Sequence, residues 1–110
     1  MSYYFSTYVK GKTFDETVIE TTEVLRKEGF GVLTEIDIKA TLKKKLDVDF
    51  RNYKILGACN PPLAFKALQA EDKIGTMLPC NVIVRETENG SIEVAAVDPA
   101  ASMMSIKNKV

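Results

Sequence analysis

The hydrophobic spacing of this chain changes abruptly at Gly29, and that change constrains the fold more than any other feature. Before it, Phe14, Val18, Thr21, Thr22 and Leu25 recur at the spacing of one helical face. After it, Phe30, Val32, Thr34, Ile36 and Ile38 point one way along an extended chain. Gly31, Leu33, Glu35 and Asp37 point the other. The spacing predicts a helix over about residues 14–28, then a strand with one buried face. Thr13-Phe14-Asp15-Glu16 reads as a capping box, and Arg26 and Lys27 suit the negative end of the helix dipole. Gly29 supplies a left-handed stop.

The remaining segments extend the pattern. Residues 2–9, rich in Tyr, Phe, Thr and Val, predict a first strand. Residues 40–46 predict a short helix with Leu42 and Leu46 inward. Residues 53–59 predict a third strand. Asn60-Pro61-Pro62 opens a second main helix, with Asn as N-cap and proline tolerated in the first turn. Leu63, Ala64, Ala67 and Leu68 are its expected buried stripe. Residues 80–86 and 92–97 predict two strands joined by a hairpin at Asn89-Gly90. The order β-α-β-(short α)-β-α-β-β predicts an α+β, two-layer sandwich with a mixed or mainly antiparallel sheet and helices on one face. The chain, residues 1–110, is expected to form a single domain. A helical crossover between the third and fourth strands would be right-handed and make them parallel. Cys59 and Cys80 would then lie at opposite ends of the sheet, too far apart for a disulfide.

Composition bears on function mainly by exclusion. The chain has no histidine, which removes the commonest general base, the commonest metal ligand and every Ser-His or Cys-His nucleophile. Fifteen basic residues balance fifteen acidic ones, so no nucleic acid partner is expected. Lys43-Lys44-Lys45 with Lys39 is read as a solvated face. No apolar run is long enough to cross a membrane, and no signal peptide is visible, so a cytoplasmic, reducing setting is expected. Two cysteines are too few for a disulfide scaffold.

Four segments together are distinctive. They are Gly29 through Asp37, Lys39 through Leu42, Tyr53 through Ala64 (Tyr-Lys-Ile-Leu-Gly-Ala-Cys-Asn-Pro-Pro-Leu-Ala), and Leu78-Pro79-Cys80-Asn81-Val82. With them, residues 1–99 closely resemble the bacterial and archaeal family called domain of unknown function 302. The resemblance implies a compact α+β fold, often a dimer. It implies no activity, substrate or cofactor, so no catalytic residue carries over. Family members usually continue past an Asp-Pro corner into a C-terminal helix. The stretch after Asp98-Pro99 is short here, and that helix is expected to be absent or truncated.

The candidate site residues are Glu35, Asp37, Gly57, Cys59, Asn60 and Cys80. Cys59 ends a strand just before a helix N-terminus, a place that lowers a thiol pKa. Pro61 and Pro62 lack N–H groups, which weakens that effect and any anion site there. Cys59 is therefore either a small corner residue or a reactive thiol. Cys80-Asn81 repeats the dipeptide after a proline. Cys59, Cys80 and Glu35 would make a thin ligand set for zinc, and no metal site is expected. Glu35 and Asp37 share one side of their strand and are either solvated charges or an acid–base pair.

The leading expectation is a small-ligand binding or sensing module near Glu35, Gly57, Cys59 and Asn60. Gly57 and Ala58 leave space beside the chain there, and the Asn60 amide offers donors and acceptors. The alternatives are a thiol-dependent enzyme or redox protein using Cys59, and an interaction domain without chemistry. A homodimer is expected, because the sheet is expected to leave open a face carrying Leu33, Ala58 and Ile83.

Overall fold

A computed structural model describes residues 2–99. The elements are β1 (Tyr4–Val9), α1 (Phe14–Lys27), β2 (Gly31–Asp37), α2 (Ile38–Leu46), β3 (Tyr53–Cys59), α3 (Pro61–Ala70), a 3₁₀ turn (Ile74–Met77), β4 (Cys80–Glu86) and β5 (Ile92–Val97). The strands form one sheet in the order β1-β5-β4-β3-β2, and every neighbouring pair is antiparallel. The fold is α+β, as the order of elements predicts.

Helix α1 follows its sequence signals closely. The Thr13 hydroxyl accepts from the Glu16 N–H at 3.1 Å, and the Glu16 carboxylate accepts from the Thr13 N–H at 2.8 Å. These bonds hold the Glu16 carboxyl below its ordinary range. Gly29 has φ +88°, the left-handed conformation that suits glycine. Phe14 and Val18 are buried against Leu56, Val82, Val84 and Ile92, with Leu25 packed at the margin. Thr17 is also buried, because its hydroxyl donates to the Thr13 carbonyl at 2.8 Å and so needs no water.

The hairpin forms at Asn89-Gly90, but its loop spans three residues. Thr87 N–H donates to the Ser91 carbonyl at 2.8 Å, and Gly90 has φ +82°. That loop length sets Arg85 opposite Glu93.

Four expectations are corrected. First, β3 and β4 are antiparallel, with Ala58 opposite Cys80. The connection is no crossover: α3 and the 3₁₀ turn double back and return the chain to the end of the sheet that it left. The ends of β3 and β4 are thus adjacent, although both cysteines are free thiols. Second, α3 lacks its expected buried stripe. Leu63 is 59% and Leu68 44% exposed, and only Ala64 and Ala67 are half-buried. A helix that does not traverse the sheet has little apolar surface to meet.

Third, β2 is an edge strand with no buried face. Its pairing slips between Val32 and Thr34, so Leu33 is an extra residue in a bulge. The slip reverses the alternation: Val32 lies opposite Ala58 on the α1 side, whereas Thr34 and Ile36 lie opposite Gly57 and Ile55 on the other. The strand ends at Asp37, whose carboxylate accepts from the Ala40 N–H at 2.9 Å and starts α2 two residues early. Leu42 is half-buried, but Leu46 is exposed. Fourth, Ala58 does not share a face with Ile83. It is buried on the α1 side with Leu56, and Ile83 lies opposite Ile55 on the open side.

Candidate functional site

The expected site residues divide among three places. Gly57 is buried, and the space beside it is occupied. A side chain there would collide with the Thr34 hydroxyl and come within 2.7 Å of the Pro79 ring. Asn60 acts as the cap of α3: its side-chain oxygen accepts from the Leu63 N–H at 3.2 Å. Its amide nitrogen lies against Gly29, where an added Cβ would stand 3.3 Å away. Glu35 is opposite Leu56, three residues along β3 from Cys59, and accepts from Lys54 at 3.1 Å. Asp37 lies at the far end of β2, engaged as the α2 cap. Glu35 and Asp37 share a face, but each has its own partner.

Cys59 and Cys80 are the pair that the fold does bring near, since Ala58 faces Cys80. Both are half-buried. Burial pushes the Cys80 thiol up, and the neighbouring Cys59 pushes it further. A raised pKa means less thiolate at neutral pH, the opposite of an activated nucleophile. Cys80 should therefore react with iodoacetamide at pH 7.5 more slowly than free cysteine does. Labelling at or above the free-cysteine rate would show its environment to be different.

The open face of the sheet, away from α1, carries a different constellation. Tyr4, Ser6 and Tyr8 of β1 share this face with Ala95 and Glu93 of β5, Ile83 and Arg85 of β4, and Tyr53 of β3. An open groove of about 460 Å³ runs across it, lined by Tyr3, Tyr4, Tyr8 and Tyr53 together with Asn81, Ile83, Arg85 and Glu93. The chain has four tyrosines and no tryptophan, so every tyrosine borders this groove. Neither Gly57, Cys59, Asn60 nor Glu35 lines it.

At its centre Arg85 Nε donates to Glu93 Oε1 at 2.6 Å. Glu93 is only 6% exposed, the one buried carboxylate among the described residues. A buried charge needs a partner, and Arg85 supplies it. The bond uses one corner of the guanidinium. Its two terminal nitrogens and the four tyrosine hydroxyls donate to no described residue. The arrangement presents a fixed donor fork beside flat aromatic walls. Arg85 and Tyr53 also border a second groove of about 460 Å³ that continues past Phe50 and Arg51.

Sequence reasoning missed Arg85 and Glu93. Each reads alone as an ordinary charge on an alternating strand. The Asn89-Gly90 signal implies a two-residue loop, which would pair Glu88 with Ser91 and so Arg85 with Val94. The three-residue loop shifts the register by one and makes the ion pair.

The model of the family described as domain of unknown function DUF302 matches residues 5–110. The chain belongs to this family. The match runs past the segments quoted above and includes residues beyond the described range, where the expected loss of the C-terminal helix also lies. A crystal structure described as an uncharacterized conserved protein DUF302 from Bacillus stearothermophilus is similar, with a TM-score of 0.88 and 28% identity. The alignment covers 98% of this chain and 83% of that one. No curated protein matches. Among the described residues of this DUF302 domain, no helix is long and apolar enough to cross a membrane.

Proposed function

We propose that this DUF302 domain is a small-ligand binding module, working as a homodimer, whose site is the tyrosine-lined groove on the open face of the sheet. The observation that carries this reading is the Arg85–Glu93 pair. A buried carboxylate holds a guanidinium by its Nε, and the terminal nitrogens, which donate to no described residue, border a groove walled by tyrosines. Such a fork suits a carboxylate or similar planar anion, and the rings suit a flat apolar body. The ligand class is thus a planar molecule with an anionic edge. The leading expectation from sequence is kept in kind and moved in place, because the Gly57–Asn60 corner is filled by Thr34 and Pro79 and engaged in capping. The many exposed apolar side chains, Phe5, Leu33 and Phe65 among them, support self-association.

The probe is 2-naphthoate, titrated into ¹⁵N-labelled protein. Amide shifts should concentrate at Tyr4, Tyr8, Ile83, Arg85 and Glu93, and tyrosine fluorescence should change with the same midpoint. Arg85→Met should weaken binding at least about tenfold, the loss of one charge-assisted contact. Shifts centred on Cys59 and Asn60 instead, or an Arg85→Met variant that binds equally well, would refute this location.

A further inference from the structure

We infer that the groove is shared between two copies of this chain, joined edge to edge through β1. Among the described residues, strand β1 is held by β5 alone, and it is exposed on both faces along most of its length. It reads Tyr-Phe-Ser-Thr-Tyr-Val, with no charge, no proline and no bulge. Proteins normally guard such an edge. The opposite edge is guarded, since β2 carries the Leu33 bulge and the charges of Glu35 and Asp37.

The backbone sets the register of pairing. The Tyr3 carbonyl accepts from the Asp98 N–H at 2.8 Å, so Tyr3 turns its polar backbone groups toward β5. By the alternation of an antiparallel ladder, Phe5, Thr7 and Val9 do the same. Tyr4, Ser6 and Tyr8 therefore turn theirs to the free edge. Those of Tyr4 are covered locally by the Ser2 hydroxyl, which donates to the Tyr4 carbonyl at 2.9 Å and accepts from its N–H at 3.4 Å. A rotation of Ser2 releases them.

An antiparallel second copy uses all three edge residues in one register, with the two-fold axis at Ser6. Ser6 then faces Ser6 of the partner subunit, and Tyr4 faces the partner's Tyr8. Each of the three resulting residue pairs exchanges two bonds, about six in all. A shift by two residues leaves one edge residue on each copy outside the three-residue match. The side-chain order on the open face, Tyr4-Ser6-Tyr8, is symmetric about Ser6, which favours a copy of this strand over an unrelated one. In this register the partner's Tyr8 stands beside Tyr4 and the partner's Tyr4 beside Tyr8. Both belong to the groove wall, so the two grooves merge across the axis. The shared-site element rests on the ligand reading above; the strand pairing does not.

Sedimentation at micromolar concentration should show a dimer for the unmodified chain and a monomer for Ser6→Pro, which removes an outward N–H and leaves the β5 ladder intact. In a Cys59→Ala, Cys80→Ala background, Ser6→Cys should be cross-linked by a short bis-maleimide, and Leu33→Cys on the β2 edge should not. The cross-linking arm decides the matter even if Ser6→Pro fails to fold. A monomeric unmodified chain, a dimeric Ser6→Pro, or cross-linking through Leu33→Cys in place of Ser6→Cys would overturn the pairing. The 2-naphthoate titration separates the two readings. Binding by a monomer overturns the pairing alone, and a β1-linked dimer that binds no 2-naphthoate overturns the ligand reading and with it the shared site.

Discussion

Leu56→Ala should lower the unfolding free energy by about 3 kcal/mol, the middle of the range for truncating a buried leucine. Leu56 is 1% exposed, in β3 between β2 and β4, opposite Val82 and within the cluster that includes Phe14, Val18 and Val84. Few side chains can collapse into the space it would leave, because strands flank it on both sides and α1 lies above. The loss is a large share of the roughly 5–15 kcal/mol that holds a domain folded. It should lower the thermal midpoint by more than about 10 °C. Leu63→Ala, on the exposed side of α3, should change stability by less than about 0.5 kcal/mol. Urea titration of both variants checks the contrast. A near-neutral Leu56→Ala, or a costly Leu63→Ala, would mean that the core lies elsewhere.

Gly57→Val should also destabilise the domain, by about 2–3 kcal/mol, through overpacking. The backbone at Gly57 does not have the positive φ seen at Gly11, Gly29 and Gly90, so the penalty is steric and not conformational. The added Cβ meets the Thr34 side chain across β2 and the Pro79 ring ahead of β4. Threonine can rotate, but a proline ring at the root of a strand cannot. Gly57→Ala should cost less, about 1 kcal/mol, and Thr34→Ala should recover part of it in a double-mutant cycle. If Gly57 bordered an open ligand pocket, Gly57→Ala would be neutral and the cycle would show no coupling. The measurement thus weighs the corner directly as a site against the corner as a packed joint.

The sequence made the helices and strands legible wherever one local rule dominated. The capping box at Thr13–Glu16 and the glycine stop at Gly29 delimit α1 because their bonds join near neighbours. The DUF302 resemblance was equally legible, carried by contiguous motifs. The burial of β2 was not, because an edge strand has a neighbour on one side only, and its alternation reverses at a bulge that Leu33 does not announce. The connection from β3 to β4 failed for a related reason. A helix between two strands reads as a crossover, and whether it traverses the sheet depends on what surface awaits it. Helix α3 finds little, so its leucines stay exposed and the chain returns beside Ala58.

The order of helical and extended segments determined the fold class, since amphipathic helices among several strands bury their apolar sides only in layers. Local chemistry likewise determined the caps and the position of the hairpin. Only the tertiary structure decided the candidate site. Arg85 and Glu93 are eight residues apart and become partners through a loop one residue longer than its central dipeptide implies. Tyr4, Tyr8 and Tyr53 come from opposite parts of the chain and share a face because β1 pairs with β5. Register places those groups, and register is a property of the assembled sheet, in which a shift of one residue moves a side chain from one face to the other.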